Sequence, residues 1–189
     1  MKVIVGLGNP GPRYDETRHN VGWWALDRMA YDWDFGPFER DGQIVTVQGR
    51  LEGEDVQLAK PTTYMNRSGE ALGFMAGYSR SGFELESDLM IVVDDASLDV
   101  GRIRIRDRGS AGGHNGLRSV EQALGRDDYT RLRIGVGRRP DDVDMTDWVL
   151  SAMPPEDEET ILELLPEVTR AAETWIEEGV EAAMNRFNK

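Results

Sequence analysis

The chain carries two histidines, His19 and His114, and no cysteine among its 189 residues. Each histidine precedes an asparagine: His19-Asn20 in TRHNVG and His114-Asn115 in GGHNG. Asn9 of NPG, Tyr64 and Asn66 of KPTTYMNRSG, and Asp94-Asp95 after MIVV complete a set of polar groups at expected element ends. A histidine and an aspartate from separate elements suggest a general base and its orienting carboxylate. The carboxylate fixes one ring nitrogen, and the other takes a proton from water. No thiol nucleophile exists, and no G-x-S-x-G elbow presents a serine, so attack by activated water suits this set. Asparagine amides donate and accept without charge, which fits ester or amide groups and a developing oxyanion. Each residue also has a plain reading. His19 can cap or solvate a helix start, Asp94 and Asn66 can be caps, and His114 can be an ordinary loop residue.

Positioning such groups requires strand and helix ends. Residues 2–7 (KVIVGL) read as a buried strand. From Thr17 or Arg18 to Asp32 the apolar spacing is helical (Val21, Trp24, Leu26, Met29). DFGPFERDG reads as a loop. Residues 43–51 and 55–60 form a hairpin through Glu52-Gly53-Glu54, and a helix over 66–79 takes Asn66 as N-cap. Strands follow at 88–94 and 101–106, the second alternating Arg and Ile so that one face is charged. GSAGGHNG is a loop, 115–124 a helix and 131–136 a strand. Helices over 146–151, 155–165 and 167–187 close the chain, with Pro154, Pro155 and Pro166 at helix starts. The order predicts an α/β fold: a single compact domain over residues 1–189, with a mixed twisted β-sheet surrounded by helices.

GLGNPG at residues 6–11 spells G-x-G-x-x-G after a strand. A dinucleotide site also needs a helix starting in the loop and an acid at the end of a second strand. Pro10, Gly11 and Pro12 delay the helix, and Asp27 falls inside it, so the spelling does not carry that function. Asn9-Pro10-Gly11 is instead a turn that presents the Asn9 amide.

Net charge is −13, which argues against nucleic acid as a partner until its distribution is considered. Residues 102–139 hold ten arginines and four acids, whereas 141–189 hold fourteen acids and three bases. Solvated strand and helix surfaces would explain this, and so would an anion-binding face on an acidic body. With no cysteine, a disulfide framework is impossible and a His/Cys zinc site nearly excluded. A metal hydrolase built on Asp94, Asp95 and Asp99 lacks partner ligands. No targeting segment or long apolar run is visible, so a cytoplasmic protein is the expectation.

GLGNPGPRYDETRHNVG, KPTTYMNRSGEA, VVDD, GSAGGHNGLRS and RLRIGVGRRP, in this order over about residues 3–140, resemble the bacterial-type peptidyl-tRNA hydrolases. The resemblance implies a monomeric enzyme that needs no cofactor or metal. Such an enzyme cleaves the ester between a peptide and the terminal ribose of tRNA. By motif, His19 is the water-activating base, Asp94 stabilises its charged form, and Asn9 recognises an N-blocked aminoacyl group. Tyr14, Tyr64, Asn66, His114 and Asn115 fall in the peptide and 3′-end site. Tyr64 replaces a common phenylalanine. Arg133 and Arg106, with Arg104 close behind, match cations that hold tRNA phosphate. Ser97 stands where the family often has a second acid. A rival reading is a relative that binds RNA without hydrolysing it, against which the retained His19, Asp94 and Asn9 argue.

Overall fold

The computed structural model describes residues 1–80 and 82–188, with the side chains of 74–80 left aside. One seven-stranded sheet runs β2-β3-β4-β1-β5-β7-β6. Its strands are β1 (Lys2–Gly6), β2 (Glu39–Asp41), β3 (Ile44–Leu51), β4 (Glu54–Pro61), β5 (Leu89–Asp95), β6 (Ile103–Arg106) and β7 (Thr130–Gly135). The central four, β4-β1-β5-β7, are parallel; β2-β3-β4 and β6-β7 pair antiparallel. Every residue of β5 is buried, as its continuous apolar run requires of a strand covered on both faces.

Alternate residues build two cores. Ile4, Met90, Val92, Leu132 and Ile134 face α1 (Val21–Asp32), α5 (Pro155–Glu178) and α6 (Val180–Phe187). Val3, Val5, Leu89, Ile91 and Val93 face α3 (Asn115–Leu124) and the 3₁₀ segment Met65–Arg80. Two short α-helices, α2 (Leu85–Asp88) and α4 (Met145–Val149), and two 3₁₀ turns, Pro12–Tyr14 and Arg18–Asn20, complete the described elements.

The glycines of the opening motif serve packing. A Cβ on Gly6 would lie 2.4 Å from the Gly22 carbonyl oxygen, and one on Gly22 would lie 2.6 Å from the Leu7 and Val92 oxygens. Bare backbone there lets the first turn of α1 press onto the ends of β1 and β5.

Three expectations are corrected. Pro166 does not start a helix but lies within the continuous α5, and the break falls at Gly179 (φ 88°). A mid-helix proline costs about 3 kcal/mol. The carbonyl it deprives belongs to Leu162, which is half exposed, while buried residues on both sides of Pro166, from Ile161 to Ile176, hold α5 on the sheet. Asn66 is not the N-cap of its segment. The turns begin at Met65, whose amide is taken by Asn9 Oδ1 from a distant loop (2.8 Å). They are 3₁₀ rather than α: Arg67 N–H bonds to the Tyr64 carbonyl, and Ser68 Oγ occupies the Met65 carbonyl. Finally, the expected loop over 34–42 contains β2, an edge strand against β3.

Candidate active site

The carboxyl ends of the parallel strands open onto a cleft of about 780 Å³, where ligands of open α/β sheets collect. The loop after β1 brings Asn9 and Tyr14 to it, the loop after β4 brings Tyr64, and the first turn of the 3₁₀ segment brings Asn66. β5 ends in Asp94 and Asp95, β7 contributes Arg133, and the start of α3 supplies His114, its N-cap, and Asn115, its first residue. His19 comes from the 3₁₀ turn Arg18–Asn20 that leads into α1. Arg104 and Arg106 do not line the cleft; they are exposed on β6.

At the floor, Asp94 is 1% exposed and His19 7%. His19 Nδ1–H donates to Asp94 Oδ1 at 2.7 Å, and His114 Nε2–H donates to the same oxygen at 2.9 Å. Burial pushes the Asp94 carboxyl up. The two imidazoles outweigh it, by charge and by hydrogen bonds, and hold the carboxyl well below the usual carboxylate range. Asp94 is therefore an anion, and the tautomer with Nδ1 protonated leaves His19 Nε2 able to accept a proton. Nε2 makes no hydrogen bond among the described residues.

Asn9 is fixed on three sides. Its N–H donates to Asn20 Oδ1 (2.8 Å), and Asn20 Nδ2 returns a bond to the Asn9 carbonyl (3.0 Å). With Oδ1 accepting from Met65 N–H, the amide of Asn9 must present its NH₂ as the remaining polar group. Tyr14 and Tyr64 meet edge to face, centroids 6.4 Å apart.

Arg104 pairs with Arg133 and Arg106 with Arg131 across β6-β7, so four arginines share one sheet face, with Ile103, Ile105, Leu132 and Ile134 on the other. Arg131 is only 2% exposed: its Nη2 reaches Glu121 (3.3 Å) and the Asp127 carbonyl (3.0 Å), and its guanidinium lies over the Tyr129 ring. Arg133 is 23% exposed and sits 3.0 Å from Asp95 Oδ2. Ser97, at the position often acidic in the resembling family, steadies that pair. Its N–H and Oγ–H both donate to Asp95 Oδ1 (2.8 and 2.6 Å).

Sequence reasoning missed one wall of the cleft and its fastening. Met145, Val149 and Leu150, from α4 and its C-terminal end, supply apolar surface. Arg18, buried beside His19, stacks on Trp148 at 3.8 Å and donates to the carbonyls of Val136 (3.3 Å) and Ala152 (2.9 Å). Burial lowers its pKa, and Asp157 opposes that shift. Backbone carbonyls 118 or more residues away carry no sequence signature, so no local signal marked Arg18. No metal ligands are assigned: the imidazole and carboxylate atoms that approach one another most closely are already joined as N–H donors and acceptor.

The family model described as peptidyl-tRNA hydrolase matches residues 3–189. The chain belongs to this family. The peptidyl-tRNA hydrolase of Gemmatimonas aurantiaca is 43% identical over 192 residues, spanning all of both chains. That of Lachnoclostridium phytofermentans is 43% identical over 189 residues, spanning all of this chain and 97% of the relative. The crystal structure of peptidyl-tRNA hydrolase from Acinetobacter baumannii superposes with a TM-score of 0.90 at 32% identity, covering 100% of this chain and 94% of that one. The family and the α/β architecture expected from the sequence thus both stand.

Proposed function

We propose that this chain hydrolyses the ester linking a peptide, or an N-blocked aminoacyl group, to the 3′-terminal ribose of tRNA, with water activated by His19. The observation that carries this reading is His19 Nε2, which has no partner among the described residues and lies in the cleft, with Nδ1 bound to the buried Asp94 anion. Nε2 takes the proton of a water that attacks the ester carbonyl, and Asp94 stabilises the imidazolium that forms. The Asn9 NH₂ donates to a carbonyl oxygen of the N-blocked group or to the oxyanion. Tyr14, Tyr64, Asn66 and Asn115 line the space for peptide and ribose. Arg133, with Arg104 and Arg106 on the same sheet face, attracts tRNA phosphate, and the acidic remainder of the chain repels it.

The scheme takes residues 1–189 as one unit acting as a monomer. Peptidyl-tRNA arises in translation, so the cytoplasm is the proposed location, and the chemistry calls for no cofactor. The deciding experiment compares turnover of N-acetyl-aminoacyl-tRNA with that of free aminoacyl-tRNA, with and without EDTA. The blocked substrate should be hydrolysed far faster, with EDTA making no difference. Binding without turnover would make the chain an RNA-binding relative.

A further inference from the structure

The two histidines donate to one carboxylate oxygen, but their second nitrogens have different fates. His114 is the N-cap of α3, and its Nδ1 accepts the Leu117 amide at 3.3 Å. A nitrogen that accepts an N–H carries no proton, so the single proton of His114 resides on Nε2, facing Asp94 Oδ1. A second proton on this ring would displace the Leu117 amide from the end of α3. It would also put a cation beside His19, whose ring centroid is 5.0 Å away. His19 has no such restraint, because its Nε2 has no partner among the described residues.

We propose that His114 is a positioning residue. Locked by α3 as the neutral Nε2–H tautomer, it shares Asp94 with His19, so that His19 does not retain a proton as strongly as a lone His–Asp pair would. A carboxylate oxygen serving one imidazole spends all its attraction on that ring. A second donor on the same oxygen withdraws part of it, so the imidazolium of His19 is stabilised less. The base is then free to act at lower pH. The other charged groups around the site are engaged elsewhere. Asp95 of β5 and Arg133 of β7 pair with each other, Arg67 pairs with Glu70, and Arg18 turns toward Val136, Ser151 and Ala152. Among the described residues neither Tyr14 nor Tyr64 bonds to Asp94 or to either imidazole. His114 thereby controls the base while still lining the cleft.

The effect on catalysis rests on the proposed function; the tautomer and proton sharing do not. With two histidines in the chain, side-chain ¹⁵N spectra of the whole protein report both rings without ambiguity. Between pH 5 and 9, His114 should keep the neutral Nε2–H pattern while the His19 signals move. His114→Asn keeps an oxygen to cap Leu117 but is too short to reach Asp94. In that variant the His19 signals and the acid limb of kcat/KM should both move to higher pH. An Nδ1–H pattern for His114, His114 taking up a proton together with His19, or unmoved His19 signals in His114→Asn would each overturn the proposal. If His114→Asn fails to fold, the wild-type spectra still decide the tautomer. If the spectra behave as expected and no peptidyl-tRNA is hydrolysed, the functional reading fails while the proton sharing stands.

Discussion

Two buried charges sit near the carboxyl ends of β4 and β5, the strands flanking β1, and the protein treats them in opposite ways. Asp94 on β5 receives two N–H donors on one oxygen and remains an anion despite complete burial. Lys60 on β4 is 6% exposed and has one carboxylate partner, the Asp27 side chain, which is itself 60% exposed. The rings of Phe38 and Trp23 cover the rest, at 4.2 and 5.8 Å from Nζ. Burial lowers the Lys60 pKa, and Asp27 only partly opposes it. Both groups are almost fully buried, so the surroundings decide the outcome. Donors from two separate elements make Asp94 usable for chemistry, whereas Lys60 is a charge that packing tolerates.

The strongest way to break this contrast is to remove the group through which Asp94 would act. His19→Ala should lower kcat by about 10²–10⁴-fold, the usual worth of a general base. Binding of tRNA should persist, because the arginines of β6 and β7 are untouched. Asp94 keeps His114 in this variant, so the fold should survive. Single-turnover hydrolysis alongside a filter-binding assay measures both. Full activity in a folded His19→Ala protein would leave Asp94 as merely another tolerated charge.

A smaller effect separates Arg133 from Arg131, which share a strand and a sheet face. Arg133→Ala should weaken tRNA binding and reduce the slope of log K against log salt by roughly 0.7–0.9, the contribution of one phosphate contact. Binding measured between 50 and 300 mM salt checks this. An unchanged slope would mean that Arg133 serves only Asp95.

The same pair of arginines shows where sequence reading stops. The alternation IRIR and the spacing of RLR announce a charged face correctly, because side chains on a strand repeat every two residues. They do not distinguish Arg131, closed off by Glu121 and Tyr129, from Arg133 at the cleft, because that depends on what packs above each. The strand carrying Asp94 was legible from MIVV, and Asn9, His19, Asp94 and His114 were legible as polar groups at element ends. The resemblance also implied the His19–Asp94 pair, but not the other contacts among them. Capping of Met65 by Asn9 spans 56 residues, and sharing of Asp94 by two imidazoles joins β5, the turn Arg18–Asn20 and the loop before α3. Pro166 misled because local propensity favours a break that packing on both sides overrides.

The smallest effect concerns Lys60, and its sign is specific. A lysine whose pKa is lowered by folding gives up its proton at lower pH in the folded chain than in the unfolded one. Between that lowered value and the unfolded value near 10.4, the unfolded chain binds more protons. Stability therefore rises with pH across this window, and below it the cost of the buried ammonium is present in full. Lys60→Met removes the charge, keeps most of the volume and leaves Asp27 hydrated. Replacing a buried charge with an apolar group of similar size is commonly neutral or stabilising. The expectation at pH 7 is a change between zero and about 2 kcal/mol more stable, with hydrolysis unaffected. The alkaline rise should be flatter than in the unaltered chain. Urea unfolding of both proteins at pH 7 and pH 9.5 measures the difference. A loss exceeding about 1 kcal/mol at pH 7 would mean that Asp27 and the aromatic rings more than repay the desolvation of Lys60. Lys60 would then resemble Asp94, with its surroundings stabilising the charge.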